Sequence, residues 1–200
     1  VYGQLGLGDG NNRGDGAGEM GDTLVTVPLG TARTATGLAA GTNHTCALLD
    51  NETVKCWGYN DFGQLGLGDT NHRGDGASEM GDNLPAVALG TGRTARAVSA
   101  RGNHTCALLD NAAIKCWGNN NYGQLGVGDT SNRGSGASEM GDNLAAVPLG
   151  TGRTARAVFA GGNFTCALLD NNSVKCWGEN SLGQLGQGDT NHRGDGADEL

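Results

Sequence analysis

The chain repeats itself every sixty residues. HTCALLDNETVKCWG at His44–Gly58 returns as HTCALLDNAAIKCWG at His104–Gly118 and as FTCALLDNNSVKCWG at Phe164–Gly178. Cys46, Cys106 and Cys166 share that step, as do Gln4, Gln64, Gln124 and Gln184, each inside a GQLG. Asn43–Gly102 and Asn103–Gly162 differ at only 14 of 60 positions. A fixed period of this length restricts the chain to stacked copies of one supersecondary unit. The units read as 1–42 (partial), 43–102, 103–162 and 163–200 (partial), about three and a third repeats of a single domain. Val1 aligns with Asp61 and Leu200 with Met80, so both ends fall inside a repeat. The expectation is a piece of a longer repetitive chain, or a homo-oligomer of copies joined edge to edge.

Each unit reads as four short strands. Ala97–Ala100 suggests the first, Thr105–Leu109 and Ile114–Gly118 the next two, and the partly alternating Leu144–Leu149 the fourth. The stretch GQLGVGDTSNRGSGASEMGDN is too rich in Gly, Asn, Asp and Ser for regular structure. Helix-period stretches are missing, and the longest apolar runs fall far short of the roughly 20 residues that span a bilayer. Four strands per forty to sixty residues predict an all-β chain, a partial β-propeller of four-stranded blades.

The cysteines sit on the predicted hairpin. If Asp50, Asn51 and Glu52 form a three-residue loop, Leu48 faces Val54 and Cys46 faces Cys56. Opposed residues in a narrow antiparallel pair stand about 4.5 Å apart at Cα, within disulfide reach. Three readings compete for Cys46, Cys56, Cys106, Cys116, Cys166 and Cys176: disulfides, buried thiols acting as small hydrophobes, and a metal site. A zinc site wants closer spacing or supporting histidines, and where His44 and His104 stand the third copy has Phe164. The even pairing at one spacing favours disulfides and an oxidising compartment, outside the cell or at its surface.

CWGYNDFGQLGLGD at Cys56–Asp69, CWGNNNYGQLGVGD at Cys116–Asp129 and CWGENSLGQLGQGD at Cys176–Asp189, with YGQLGLGD at Tyr2–Asp9, resemble the repeat of the regulator of chromosome condensation family. The resemblance covers the whole chain. It implies a propeller, usually of seven four-stranded blades, whose rim in some relatives serves as an exchange factor for a small GTPase or as a protein inhibitor of β-lactamase. The cysteine pair and the RGDGASEMGDN stretch look like the variant found in extracellular-type proteins. On physical grounds Trp57, Trp117 and Trp177 and the leucines of GQLG, Leu65, Leu125 and Leu185, are expected between blades. Leu48, Val54, Val87 and Leu89 with their equivalents complete the expected core.

Three loop features suggest sites. RGD stands at Arg13-Gly14-Asp15, Arg73-Gly74-Asp75 and Arg193-Gly194-Asp195, where an adhesion receptor could read it; the third copy has RGS at Arg133–Ser135. The alternative is a salt bridge from Arg73 to Asp69 or Glu79. Asp69, Asn71 and Gly74 match the first, third and sixth positions of a calcium loop, but Arg73 stands at the fifth and Met80 at the twelfth. Asn43, Asn51, Asn103, Asn163 and Asn171 fit the N-glycosylation pattern, with Asn51 and Asn171 at hairpin tips.

No catalytic motif appears, and any candidate acid, base or nucleophile recurs in near-identical copies. A net charge of −8 disfavours nucleic acid and anionic membranes. No cofactor or metal is expected. Near-identity of the copies predicts a non-catalytic extracellular scaffold, structural or adhesive, whose partners are copies of itself or an extracellular protein. The alternative is a propeller that binds a partner protein through its rim loops.

Overall fold

A computed structural model describes residues 1–197 and 199–200. Its local unit is a tight hairpin. Strand β2 (His44–Leu49) turns through Asp50–Glu52 into β3 (Val54–Gly58). The Glu52 N–H donates to the Leu49 carbonyl at 3.0 Å, and the Leu49 N–H to the Thr53 carbonyl at 2.9 Å. Glu52 adopts φ 62°, and Ala112 and Asn172 do the same at φ 62° and 68°. A left-handed third loop residue is what a three-residue hairpin uses to match the strands' twist. The turn fixes the register, with Leu48 opposite Val54 and Cys46 opposite Cys56. The same pairing recurs between β5 (His104–Leu109) and β6 (Ile114–Gly118), and between β8 (Phe164–Leu169) and β9 (Val174–Gly178).

One further strand precedes each hairpin: β1 (Ala35–Ala40), β4 (Ala95–Arg101) and β7 (Ala155–Ala160). Each pairs antiparallel with the strand after it, through a bulge at its second residue. Three sheets result, ordered β1-β2-β3, β4-β5-β6 and β7-β8-β9. The leading strands β1, β4 and β7 meet one another from sheet to sheet. This is the stacking of successive blades in a β-propeller. Among the described residues the only helical pieces are three-residue 3₁₀ turns, at Gly21–Thr23, Gly81–Asn83 and Gly141–Asn143. None of these could cross a membrane.

The expected fourth strand of each blade is not a ladder strand. The segment at Leu144–Leu149 joins β6 through a single bond, Val147 N–H to the Ile114 carbonyl at 2.9 Å. The chain then leaves the sheet at Gly150, φ 102°, and turns back by Arg153 N–H to the Gly150 carbonyl at 3.1 Å. The next bond is not made until Ala155 N–H meets the Ala112 carbonyl at 2.9 Å. A turn that only glycine favours thus interrupts the run before pairing can spread.

Both faces of the hairpins are buried, so apolar side chains of either parity are useful. Cys46, Leu48, Val54 and Cys56 of the first blade pack with Val87 and Leu89 against Ala107, Leu109 and Trp117 of the second, with Leu65 in the same cluster. Cys106, Leu108, Ile114 and Cys116 meet Ala167, Leu169, Trp177 and Leu125 in the same way. Each large side chain buried here contributes about 1.5–3 kcal/mol. The third blade departs from the expected core. Val174, the counterpart of Val54, is 61% exposed, because that face of the last sheet has no further sheet against it.

Candidate functional site

The three cysteine pairs are closed as Cys46–Cys56, Cys106–Cys116 and Cys166–Cys176, with Cα atoms 4.0 Å apart in each. Cys46, Cys56, Cys106 and Cys116 are fully buried, whereas Cys166 and Cys176 are half-buried on the outer face of the third sheet.

The GQLG segment does more than place a leucine. The Gln64 carbonyl accepts Trp117 Nε1–H at 3.0 Å and the Thr105 hydroxyl at 3.0 Å, both from the next blade. Gln4 and Gln124 hold Trp57 with Thr45 and Trp177 with Thr165 in the same way. A Cβ on Gly63 would stand 2.3 Å from Ser135 N, and one on Gly66 2.8 Å from Trp117 Nε1. Both glycines therefore allow a close approach between repeats as well as positive φ. Leu65, Leu125 and Leu185 are buried beside them, as are Trp57, Trp117 and Trp177.

Behind this clasp lies a polar line that the sequence reading did not single out. His44 Nε2 stands 2.9 Å from Thr105 Oγ1, and His104 Nε2 2.9 Å from Thr165 Oγ1. Each threonine spends its one hydrogen on a glutamine carbonyl, so each histidine carries its proton on Nε2. Nδ1 of both rings is buried without a partner. Burial lowers His44 to a pKa of about 4 and, with repulsion from His44, His104 to about 3. Lys55 is mostly buried too, and its ammonium bonds the carbonyls of Leu29 at 3.0 Å and Gly81 at 2.7 Å.

The loop after each hairpin is organised by a buried asparagine. Asn60 Nδ2 donates to the carbonyls of Asp69 at 2.8 Å and Asn71 at 3.0 Å, and Asn60 Oδ1 accepts the Leu65 N–H at 2.9 Å. Asn120 repeats the arrangement with Asp129, Ser131 and Leu125, Asn180 keeps the bonds to Asp189 and Leu185, and their recurrence at the sixty-residue step was the available signal. The RGD loop folds around it. Arg73 Nη2 pairs with Asp69 at 2.6 Å, and its Nη1 donates to the carbonyls of Asn71 and His72. Glu79 Oε2 accepts the N–H groups of Gly74 and Gly76 at 2.9 and 2.8 Å. Arg13 with Asp9, Arg133 with Asp129 and Arg193 with Asp189 are paired alike. The Asn191 N–H and then the Arg193 guanidinium hold Asp189 below the usual carboxylate range. Asp69 Oδ1 is taken by the Asn71 N–H, and no group of three His, Cys, Asp or Glu converges among the described residues.

Neighbouring loops are laced into one band. Gly8 N–H donates to the Gly74 carbonyl, Gly68 N–H to Gly134 and Gly128 N–H to Gly194, at 3.0–3.1 Å. On this band Tyr2, Tyr59, Phe62 and His72 form an aromatic cluster, with the Tyr2 and Tyr59 rings 4.8 Å apart. At the opposite end of the blades Asn51 and Asn171 are exposed on the hairpin tips, while Asn43, Asn103 and Asn163 are half-buried at the loop end, their carbonyls accepting the N–H groups of residues 59, 119 and 179.

Blades joined by a backbone clasp and presenting laced loops on one side define a repeat propeller with a continuous loop face. The chain belongs to the regulator of chromosome condensation (RCC1) repeat family, whose sequence profiles match residues 53–108 and 116–168 and, for a second profile, 35–64, 95–124 and 155–184. It is 32% identical over 157 residues to the probable E3 ubiquitin-protein ligase HERC4 of Homo sapiens, covering 78% of this chain and 13% of that protein. It is 32% identical over 152 residues to the X-linked retinitis pigmentosa GTPase regulator of Mus musculus, covering 74% and 13%. Against the ultraviolet-B receptor UVR8 of Arabidopsis thaliana, identity is 30% over 157 residues, 78% of this chain and 32% of the receptor. The chain thus spans a third or less of these relatives. Among solved structures, Prp20p of Saccharomyces cerevisiae matches with a TM-score of 0.61 at 21% identity, over 80% of this chain and 37% of Prp20p.

Proposed function

We propose that this propeller is a non-catalytic binding module of an extracellular protein, and that it recognises a partner protein through its loop face. One observation carries the reading. Of the 14 positions at which repeats 43–102 and 103–162 differ, seven fall within residues 59–75: Tyr59, Asp61, Phe62, Leu67, Asn71, His72 and Asp75. All seven side chains are accessible, whereas the buried residues of that loop, Asn60, Gly63, Gln64, Leu65, Gly66 and Gly74, are the same in every complete copy. Packing accounts for the uniform positions. Leu67 packs partly against the core and changes only to Val127, while the other six variable positions lie on a laced and therefore rigid surface, which suits recognition. The relatives support the reading: a ligase, a GTPase regulator and a light receptor share this region without sharing an activity.

The three disulfides support an oxidising compartment. In a eukaryotic secretory source the greater exposure of Asn51 and Asn171 favours them as glycan acceptors over Asn43, Asn103 and Asn163. A repeat scaffold, structural or adhesive, is the second reading, favoured by the identity of 46 of 60 positions between the two full copies. A loop exchange separates the two. Giving residues 59–75 the sequence of 119–135 preserves every buried loop residue, so the melting temperature should hold within about 3 °C. Under the binding reading, co-purification of the partner from the native medium is lost by this exchange and survives Asn51→Ser at the hairpin tip. Retention of the partner by the exchanged protein would refute it.

A further inference from the structure

We infer that the loop face receives a basic segment of the partner protein, anchored where Asp61 stands beside Tyr59 and His72 of the Tyr2, Tyr59, Phe62 and His72 cluster. This deepens the binding reading and rests on it. Two independent features meet there. The first is charge. Residues 1–20, 59–80, 119–140 and 179–200 hold four arginines against fourteen aspartates and glutamates, while the rest of the chain holds nine Lys and Arg against seven acids. The whole negative excess of the protein therefore belongs to the loop segments, and the remainder is slightly positive. All four loop arginines are already engaged by Asp9, Asp69, Asp129 and Asp189 at 2.6–2.7 Å, so none offers a free cation to repel a basic visitor.

The second feature is the aromatic cluster. The Tyr59 ring lies 4.8 Å from Tyr2, 5.2 Å from His72 and 6.1 Å from Phe62, in tilted and edge-on arrangements that leave ring faces unstacked. Asp61 is 57% exposed beside them, accepting the Tyr59 hydroxyl at 2.9 Å and standing 3.8 Å from His72 Nε2. A carboxylate next to ring faces suits a guanidinium or ammonium group on an aliphatic stem: the cation meets the carboxylate and the π-faces while the stem covers the rings. The other copies lack the combination. The second has Asn119, Asn121 and Asn132 at the counterparts of Tyr59, Asp61 and His72, and the third keeps only the His192 ring, 5.3 Å from Tyr122, with Glu179, Ser181 and Leu182 in place of Tyr59, Asp61 and Phe62. The anchor is thus single, and it gives an otherwise repetitive face one orientation for its partner.

The test is a titration of the isotope-labelled chain with hexa-arginine, hexa-lysine, hexa-glutamate and a neutral Gly-Ser hexapeptide, followed by amide resonances. The basic peptides should shift Asn60, Asp61, Phe62 and His72 saturably, with affinity falling severalfold between about 0.02 and 0.15 M salt. Asp61→Asn and Tyr59→Ser should each weaken them about 3- to 10-fold, while Asp50→Asn at the hairpin tip leaves them unchanged. Asp61 is exposed, so Asp61→Asn keeps the test valid if Tyr59→Ser unfolds. Basic peptides that shift the hairpin tips as strongly as the loops, or leave the loops unmoved, overturn the inference. Equal binding by hexa-glutamate at the loops overturns the basic chemistry alone and leaves a protein-binding loop face standing. A partner that survives the 59–75 exchange removes the reading beneath it.

Discussion

At the scale of single residues, the fold depends on polar side chains that act between repeats. His44 and His104 are neutral in the folded chain, with pKa values lowered to about 4 and about 3 by burial. Unfolded histidine titrates near 6.5, so the unfolded chain binds more protons, and stability falls as pH drops below that value. The loss grows until the folded values are reached, at roughly 1.4 kcal/mol per pH unit for each ring. Unperturbed carboxylates ionise at about pH 4, below the window of about pH 5 to 6.5 in which the two buried rings act. The third copy already carries Phe164 at this position. His44→Phe with His104→Phe should therefore flatten the fall in urea midpoint between pH 6.5 and 5, and an unchanged slope would place both rings in contact with solvent. Asn120 is the second such residue. Asn120→Ala removes a buried amide that donates to the Asp129 and Ser131 carbonyls and accepts the Leu125 N–H. Leaving those groups unpaired should cost about 2–3 kcal/mol in denaturant unfolding.

At the scale of the element, the hairpin was legible in the sequence and the fourth strand was not. Three residues between Leu49 and Thr53 set the register by counting alone, and the observed pairing of Cys46 with Cys56 has that register. Leu144–Leu149 carries the apolar residues of a strand, yet a strand is defined by backbone pairing, and Gly150 ends it after one bond. Asn60 and its copies were hidden for another reason. An asparagine in a Gly-rich stretch looks like any turn residue, and only its distant partners reveal it as a hub. The disulfides lie on the face that meets the next blade, which grades their accessibility. Cys46–Cys56 and Cys106–Cys116 are sealed by the following sheet, whereas Cys166–Cys176 is half-exposed. Under graded reductant with alkylation of the 200-residue chain alone, Cys166 and Cys176 should be labelled first and the other four only on unfolding. Simultaneous labelling of all six would show that the blade interfaces do not protect them. Each ten-residue closure contributes about 2.5–3 kcal/mol by loop entropy, so full reduction should also lower the unfolding midpoint.

At the scale of the whole molecule, blades cohere through the GQLG clasp as much as through apolar contact. Each Gln carbonyl gathers a tryptophan N–H and a threonine hydroxyl from the following blade. Gly63→Ala would drive a methyl into the Gly134–Ser135 backbone at a residue with φ 77°. Hydrogen exchange should then quicken at Gly68 and along β5 and β6 while β8 and β9 keep their protection, because neighbouring repeats couple pairwise. The same architecture separates roles. Buried, repeated positions build the stack, the loop band carries the negative charge, and its accessible, varied positions supply the aromatic cluster. The proposed oxidising compartment and the fixed register of the hairpins from which that band extends both rest on covalently closed cysteine pairs, which are the centre of the account. The most direct measurement is a peptide map of the natively produced protein, alkylated without reductant, cut after every Lys and Arg so that each cysteine lies on its own peptide, and weighed. The account predicts three cross-linked peptide pairs, Cys46 with Cys56, Cys106 with Cys116 and Cys166 with Cys176, and no alkylated cysteine. Alkylated thiols, or bonds joining one repeat to another, would contradict it.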